Sequence, residues 1–217
     1  MRTFSLALMT VVLTSCQSKY HQPPLSSADS AHFTDEILIH RVEVDSFFRY
    51  DEASPFRNDT STRYEGVKWF PPNVKFYLKS KLYQYSDPET VIVLGTKGEE
   101  RKHLKYGYFD LNIDGKEFKM NVYKFTPSDA RRYALYKDLL NVWFTDRTTG
   151  KETYEVGRYV EIGAESPDPD FLYTINFNNA YNPYCAYSSK YSCAIPRKED
   201  YLDVAIRAGE MKYSEHH

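Results

Sequence analysis

The chain has 217 residues and a formal net charge of −2, with 28 Lys and Arg set against 30 Asp and Glu. The charges are interspersed, so there is no extended positive field, which argues against nucleic acid as a partner. Twenty Tyr, thirteen Phe and two Trp favour strands and half-buried faces, and an all-β core is the expectation.

The first residues carry an export pattern. Arg2 precedes the short apolar run Leu6–Leu13, and Leu13-Thr14-Ser15-Cys16 follows. A run of that length falls short of the about 20 apolar residues that a spanning helix needs, so residues 1–15 read as a signal peptide. Small residues before a cysteine resemble the bacterial lipobox, in which the cysteine thiol is joined to a diacylglycerol and becomes the new N-terminus. Cys16 is the expected lipidation site. With each buried methylene contributing about 0.8 kcal/mol, a multiply acylated cysteine would hold the protein on a membrane. Gln17 and Ser18 leave out the aspartate that commonly marks inner-membrane retention, so the outer membrane, facing the periplasm, is the expected location.

Residues 16–33 are rich in Pro, Ser and polar groups and read as a lipidated tether spanning on the order of 20 Å. Residues 34–217 form the expected single β-rich domain. Thr34 is placed to cap a helix with Asp35 and Glu36 in its first turn, favourable against the helix dipole. Ile37, Val44 and Phe48 share one side of it, and it should end near Asp51, before Ser54-Pro55.

The period then changes to two. Val74, Phe76, Leu78 and Leu82 alternate with polar residues as one amphipathic strand, and Val91–Leu94 forms a short buried one. Tyr106–Ile113 and Glu117–Phe125 flank Asp114-Gly115, the strongest hairpin signal in the chain. A short helix is expected within Pro127–Asp138. Leu139–Thr145 and Thr153–Ile162 read as a second hairpin, followed by strands at Phe171–Phe177 and Tyr201–Ile206. The fold class is therefore mainly β, an antiparallel sandwich or partial barrel with an N-terminal α-helix.

Two cysteines remain beyond Cys16. Cys185 and Cys193 form an even pair that in an oxidising compartment reads as a disulfide, stabilising by roughly 2.5 kcal/mol. A redox pair usually has two intervening residues. A zinc site needs four ligands, and no nearby histidine completes one, so no metal is expected.

Arg158 shares a strand face with Tyr154, Val156, Val160 and Ile162, while Thr153, Glu155, Tyr159 and Glu161 face the other way. A guanidinium on the core face must be paired, with Asp146 and Glu210 as candidate partners. It is either a structural ion pair or an anion-binding group at a pocket floor. The stretch Phe177–Tyr187 is dense in Asn and Tyr, and reads as a tightly turned loop that could present Tyr181, Tyr184 and Tyr187 to a ligand. Familiar catalytic motifs are missing. A histidine relay would have to use His40 or His103.

Asp146–Tyr159, Phe177–Tyr187 with Cys193, and Ile206–Glu210 resemble the signature blocks of a family of uncharacterised bacterial and archaeal proteins, domain of unknown function 1684. The likeness runs from about residue 34 to Tyr213. Where that family usually has Pro-Pro, this chain has Pro183-Tyr184; where it has Pro-Leu-Pro-Pro, this chain has Ala194-Ile195-Pro196-Arg197. The resemblance implies no established activity or cofactor. It includes members without export signals, in which the two cysteines would be thiols or ligands; for this exported chain the disulfide remains the expectation.

Two functions follow. The first is a membrane-anchored envelope lipoprotein whose β domain binds a small molecule, glycan or protein. The alternative is a hydrolase-type enzyme with a pocket built around Arg158, Asp146, Glu210 and Asn178. Tyr181, Asn182 and Tyr187 complete the candidate pocket.

Overall fold

The computed structural model describes residues 27–59 and 61–213; the signal peptide and Cys16 lie outside them. The chain is mainly β, with 38% strand against 24% helix. It opens with α1 (Ser27–Tyr50) and a single turn, α2 (Pro55–Asn58), whose first amide is accepted by the Ser54 hydroxyl at 3.3 Å. The strands are β1 (Tyr77–Ser80), β2 (Leu82–Leu94), β3 (Glu100–Ile113), β4 (Lys116–Phe125), β5 (Leu139–Asp146), β6 (Arg158–Ala164), β7 (Tyr173–Asn176) and β8 (Tyr201–Leu202), with α3 (Ala130–Tyr136) between β4 and β5. Strands β2-β3-β4-β5-β6 form an antiparallel meander, with β8 added parallel to β5. A separate antiparallel pair, β1–β7, completes the architecture, and the sheet does not close into a barrel.

The β3–β4 hairpin turns on Asp114 and Gly115, with φ of 53° and 77°. Two consecutive positive φ values are what a type I′ turn requires, and its twist matches that of the strands. Other expectations shift. The helix begins at Ser27 and not at Thr34, so residues 27–33 of the expected tether are helical. Val74–Phe76 is a 3-10 turn, with Asn73 Oδ1 accepting from the Lys75 amide at 3.0 Å. The alternation over residues 74–83 therefore belongs to two strands in different sheets, broken at Lys81. The short strand at Val91–Leu94 is the second half of β2, which passes through a register shift between Gln84 and Glu89. Pro88 sits in that irregularity on an edge strand, where its missing N–H costs the ladder nothing. The strand expected over Thr153–Ile162 starts only at Arg158, and the last strand is two residues long.

The main core fills the space between the meander and the β1–β7 pair. Phe109, Leu111, Met120, Val122, Phe144, Ile175 and Phe177 are buried in it, and Phe144 meets Phe177 edge-on at 5.1 Å. The sheet's other face is also covered, because Tyr123 stacks on Trp143 at 4.7 Å and Tyr159 packs beside them. A third cluster joins α1 to the C-terminal segments through Phe48, Phe56 and Tyr187. Apolar cover on both faces of β5 and β6 is what places a cleft, and not open water, beside the second face.

Candidate functional site

The Asn-rich loop is fastened to the sheet by main-chain bonds. The Tyr159 amide donates to the Tyr181 carbonyl at 2.9 Å, and the Tyr181 amide returns a bond at 3.0 Å. The chain at Gly209-Glu210 then passes close behind, with the Glu210 amide donating to the Ala180 carbonyl at 2.8 Å. Gly209 has φ of 78°, and a Cβ there would lie 2.4 Å from Ala180 O. Only glycine accepts both the left-handed backbone and the contact. That close passage delivers Glu210 inward beneath the loop.

Arg158, the first residue of β6, is 1% exposed. Nη1 donates to the carbonyls of Ala208 and Glu210, and Nη2 to that of Ile206 at 2.8 Å. Asp146 Oδ2 lies 3.5 Å from Nη2, and the Phe144 ring lies 5.1 Å from the guanidinium carbon. Nε alone has no partner among the described residues. Burial pulls the Arg158 pKa down to about 10, with Asp146 and then Glu210 opposing the shift, so it stays cationic at neutral pH. Asp146 is equally committed. Its Oδ1 accepts from the hydroxyls of Thr148 at 2.7 Å and Thr149 at 3.0 Å, and its Oδ2 from the Ile206 amide at 2.7 Å. The pair ties the β5–β6 loop to the C-terminal segment. Neither residue lines the cleft described below.

Asn178 is also sealed: its Oδ1 accepts from the Asn73 amide at 2.7 Å and its Nδ2 donates to the Asn73 carbonyl at 3.0 Å. Tyr187 is buried, its ring against Phe48 at 5.0 Å and Tyr213 at 5.1 Å, and its hydroxyl donates to Glu210 Oε2. The hydrolase pocket of Arg158, Asp146, Glu210 and Asn178 is thus not assembled as one opening. Of those four, only Glu210 reaches a cleft.

That cleft has a volume of about 880 Å³. Its walls are His40, Val44, Phe47 and Phe48 of α1, Tyr159 and Glu161 of β6, and Arg132 and Tyr136 of α3. Tyr181, Asn182, Pro183 and Tyr184 of the loop close the floor, with Tyr191, Ser192 and Cys193 at one side. Glu210 and Asn182 are each 1% exposed. Glu210 Oε2 accepts from the Asn182 amide at 2.8 Å as well as from Tyr187, while Oε1 has no partner among the described residues. Asn182 Nδ2 donates to the Met211 carbonyl at 2.9 Å, which fixes the amide orientation, and Oδ1 has no partner among the described residues. Burial drives the Glu210 carboxyl up to about 7, although bonds from Tyr187 and Asn182 and the Arg158 charge pull the other way.

The strand pattern correctly set Tyr159 and Glu161 on the face opposite Arg158, but did not mark that face as a cleft wall. Among the described residues neither histidine is hydrogen-bonded to a serine or cysteine side chain. His40 lines the cleft with its pKa lowered by burial, and His103 is buried, pushed to about 4, in a smaller depression of about 430 Å³ beyond Tyr159. No group of three or more His, Cys, Asp or Glu among the described residues is placed to hold a metal ion.

The expected disulfide is not formed. Cys185 and Cys193 are free thiols, brought together because residues 184–186 form a 3-10 turn whose Cys185 amide donates to Cys193 Sγ at 3.2 Å. Hydrogen bonding from Cys193, then from Tyr154 and Thr96, lowers the Cys185 thiol to about 7 against the opposing effect of burial, and the Cys193 thiol is pushed up.

The chain is similar to an uncharacterized protein of Haloarcula marismortui solved in solution by NMR. The two share 27% identity with a TM-score of 0.61, over 88% of this chain and 100% of that one. No curated protein matches. Residues 62–211, which contain every strand and the whole floor of the cleft, match the family model described as "Protein of unknown function (DUF1684)". The chain belongs to that family.

Proposed function

We propose that this protein is a membrane-anchored envelope lipoprotein whose β domain binds a small molecule in the cleft between α1 and the Asn-rich loop. One observation carries the binding reading. A cleft of about 880 Å³, within the range of small-molecule sites, has aromatic walls and two buried side chains, Glu210 and Asn182, each with an oxygen left unpaired. A buried polar atom without a partner costs about 1–3 kcal/mol, and a bound ligand that supplies the partner recovers that cost. Binding is favoured over hydrolysis because Arg158, Asp146 and Asn178 are held in structural bonds.

The anchor rests on the Leu13–Cys16 pattern, and the outer membrane on the residues after it. The full chain purified in detergent tests the ligand reading in a thermal-shift screen of cell-wall sugars, nucleotides, amines and metals. A ligand at 100 times its Kd adds about 2.7 kcal/mol, a rise on the order of 5–10 °C; a flat response across every class overturns small-molecule binding. Cys16→Ala should release the protein from membranes and remove the acyl mass. A variant that stays bound with unchanged mass overturns the anchor.

In the same envelope setting the two thiols are proposed to oxidise. The Cys185 thiolate attacks a disulfide of a donor protein or small thiol, expelling one thiolate. Cys193, once deprotonated, displaces the second and closes the bond. The support is their contact and the lowered Cys185 pKa. Protein taken from the periplasm should resist alkylation until reduced, and labelling of both thiols without reduction overturns the bond.

A further inference from the structure

Resting on the reading of the cleft as a binding site, we infer that its ligand carries a primary ammonium group, seated on Glu210 Oε1 and Asn182 Oδ1 with tyrosine rings around it. Three observations converge on that chemistry. First, the uncommitted buried atoms at the floor are all oxygens: Glu210 Oε1, Asn182 Oδ1 and, beside them, Asn179 Oδ1. The Met211 carbonyl prevents Asn182 from turning its nitrogen outward. A hydroxyl or amide ligand brings acceptors as well as donors, whereas an ammonium has three donors and no acceptor. Acceptors without fixed donors match the ammonium.

Second, the charges favour a cation. Arg132 is paired with Asp129 at 3.3 Å, and Arg158 lies behind the floor, paired with Asp146. His40 is lowered by burial and neutral at pH 7. Glu161 stands at the wall with no ion pair among the described residues. The titratable groups around Glu210 are then Arg158 and Asp146 from the sheet, Tyr181 and Tyr187 from the loop, Glu161 from β6, Arg132 with its partner Asp129 at α3, His40 from α1 and, beyond Arg158, Glu152 with its partner Arg207. Their sum is negative once Glu210 ionises. No described cation comes within 4.0 Å of its carboxylate, so the missing counterion is one a ligand would bring.

Third, Tyr159, Tyr181, Tyr184 and Tyr191 line the same space, and tyrosine rings attract ammonium groups.

The consequence is a linkage between binding and protons. An ammonium needs the ionised Glu210, whose pKa is raised to about 7, and a primary amine with an ordinary pKa of about 10 stays charged from pH 6 to 8. Affinity should therefore rise about tenfold between pH 6 and pH 8 and level off above.

The test titrates the full chain in detergent with tyramine, 1,5-diaminopentane and 6-aminohexanoate, each against the analogue in which a hydroxyl replaces every amine: tyrosol, 1,5-pentanediol and 6-hydroxyhexanoate. At least one amine should bind, its hydroxyl partner at least tenfold more weakly, with the pH profile above. Glu210→Gln, which keeps an oxygen for Asn182 and Tyr187 but turns an N–H toward the cleft, should lose at least tenfold in affinity and all of the pH dependence. If that variant does not fold, the wild-type pH profile decides alone. Hydroxyl compounds binding as well as amines, or amine affinity falling with pH, overturn the ammonium while the cleft still binds. No response to either series overturns the ammonium inference; the broader screen above then decides whether the cleft binds anything.

Discussion

Arg158 and Glu210 are two deeply buried charged side chains, one behind the cleft floor and one in it, and they have been treated oppositely by the fold. Both are 1% exposed, and both lie beside the same C-terminal segment. Arg158 hands both its Nη atoms to carbonyls and has Asp146 within 3.5 Å. Glu210 commits one oxygen and leaves the other unpaired at the cleft. Burial alone therefore does not separate structure from function. What separates them is whether the protein answers the buried charge: Arg158, despite its unpaired Nε, has three carbonyls and a carboxylate around it, whereas Glu210 has no cation within 4.0 Å among the described residues.

The comparison breaks most directly at Arg158. Arg158→Met leaves Asp146 buried without its cation and frees the carbonyls of Ile206, Ala208 and Glu210. Removing one partner of a buried pair costs about 3–5 kcal/mol, a large part of the 5–15 kcal/mol a domain possesses. Urea denaturation should show that loss, with no selective effect on ligand affinity in whatever fraction stays folded. A variant of near-wild-type stability would mean that Arg158 was the functional group after all.

Glu210 gives the next largest effect, and its sign is distinctive. Its carboxyl is raised from 4.5 to about 7 in the folded state. Between those values the folded protein holds a proton that the unfolded chain has lost. Stability from this group is complete below pH 4.5 and is lost as pH rises toward 7, by about 3 kcal/mol in all. Several other carboxylates, Asp45, Asp59 and Glu152 among them, have lowered values and act in the opposite direction, so the measurement is a difference. Wild type minus Glu210→Gln, compared at pH 4.5 and 7.5, should fall by that amount. A difference independent of pH would place the proton elsewhere.

Much of the scaffold was legible in the residues. Asp114-Gly115 located its hairpin because two adjacent positive φ values admit few residue pairs. The strand face of Arg158 followed from a period of two. The start of α1 did not, because residues 27–32 hold no large apolar side chain to mark a helical stripe, while Phe33 packs on Tyr77, rings 5.4 Å apart. The break at Lys81 was hidden because alternation reads the same in one strand or two. Of the residues the sequence singles out for a pocket, Tyr181, Asn182 and Glu210 meet at one floor. Arg158, Asp146 and Asn178 do not join them, since spacing in sequence says which residues are near but not which are already held in structural bonds. Tyr159 and Glu161 escaped because an outward strand face looks solvent-exposed until the helix and loop that cover it are known.

Tyr181 supplies the finest version of the comparison. Its backbone is locked to Tyr159 by two hydrogen bonds and its ring meets that of Tyr159 edge-on at 5.8 Å, so its packing is structural. Its hydroxyl forms no hydrogen bond to any described residue that would be lost on removal, and it stands at the cleft floor. Tyr181→Phe keeps the ring, the packing and the main-chain bonds, so stability should change by no more than about 0.5 kcal/mol. Tyr159→Phe is the matched control, because its hydroxyl donates to the Ala194 carbonyl at 2.6 Å; removing it should cost about 1 kcal/mol or more. If the cleft binds as described, the ranking reverses for affinity, with Tyr181→Phe the more damaging. Equal effects of the two variants on stability would show that filled and unfilled polar groups are not distinguished at this wall, and the contrast between Arg158 and Glu210 would lose its generality.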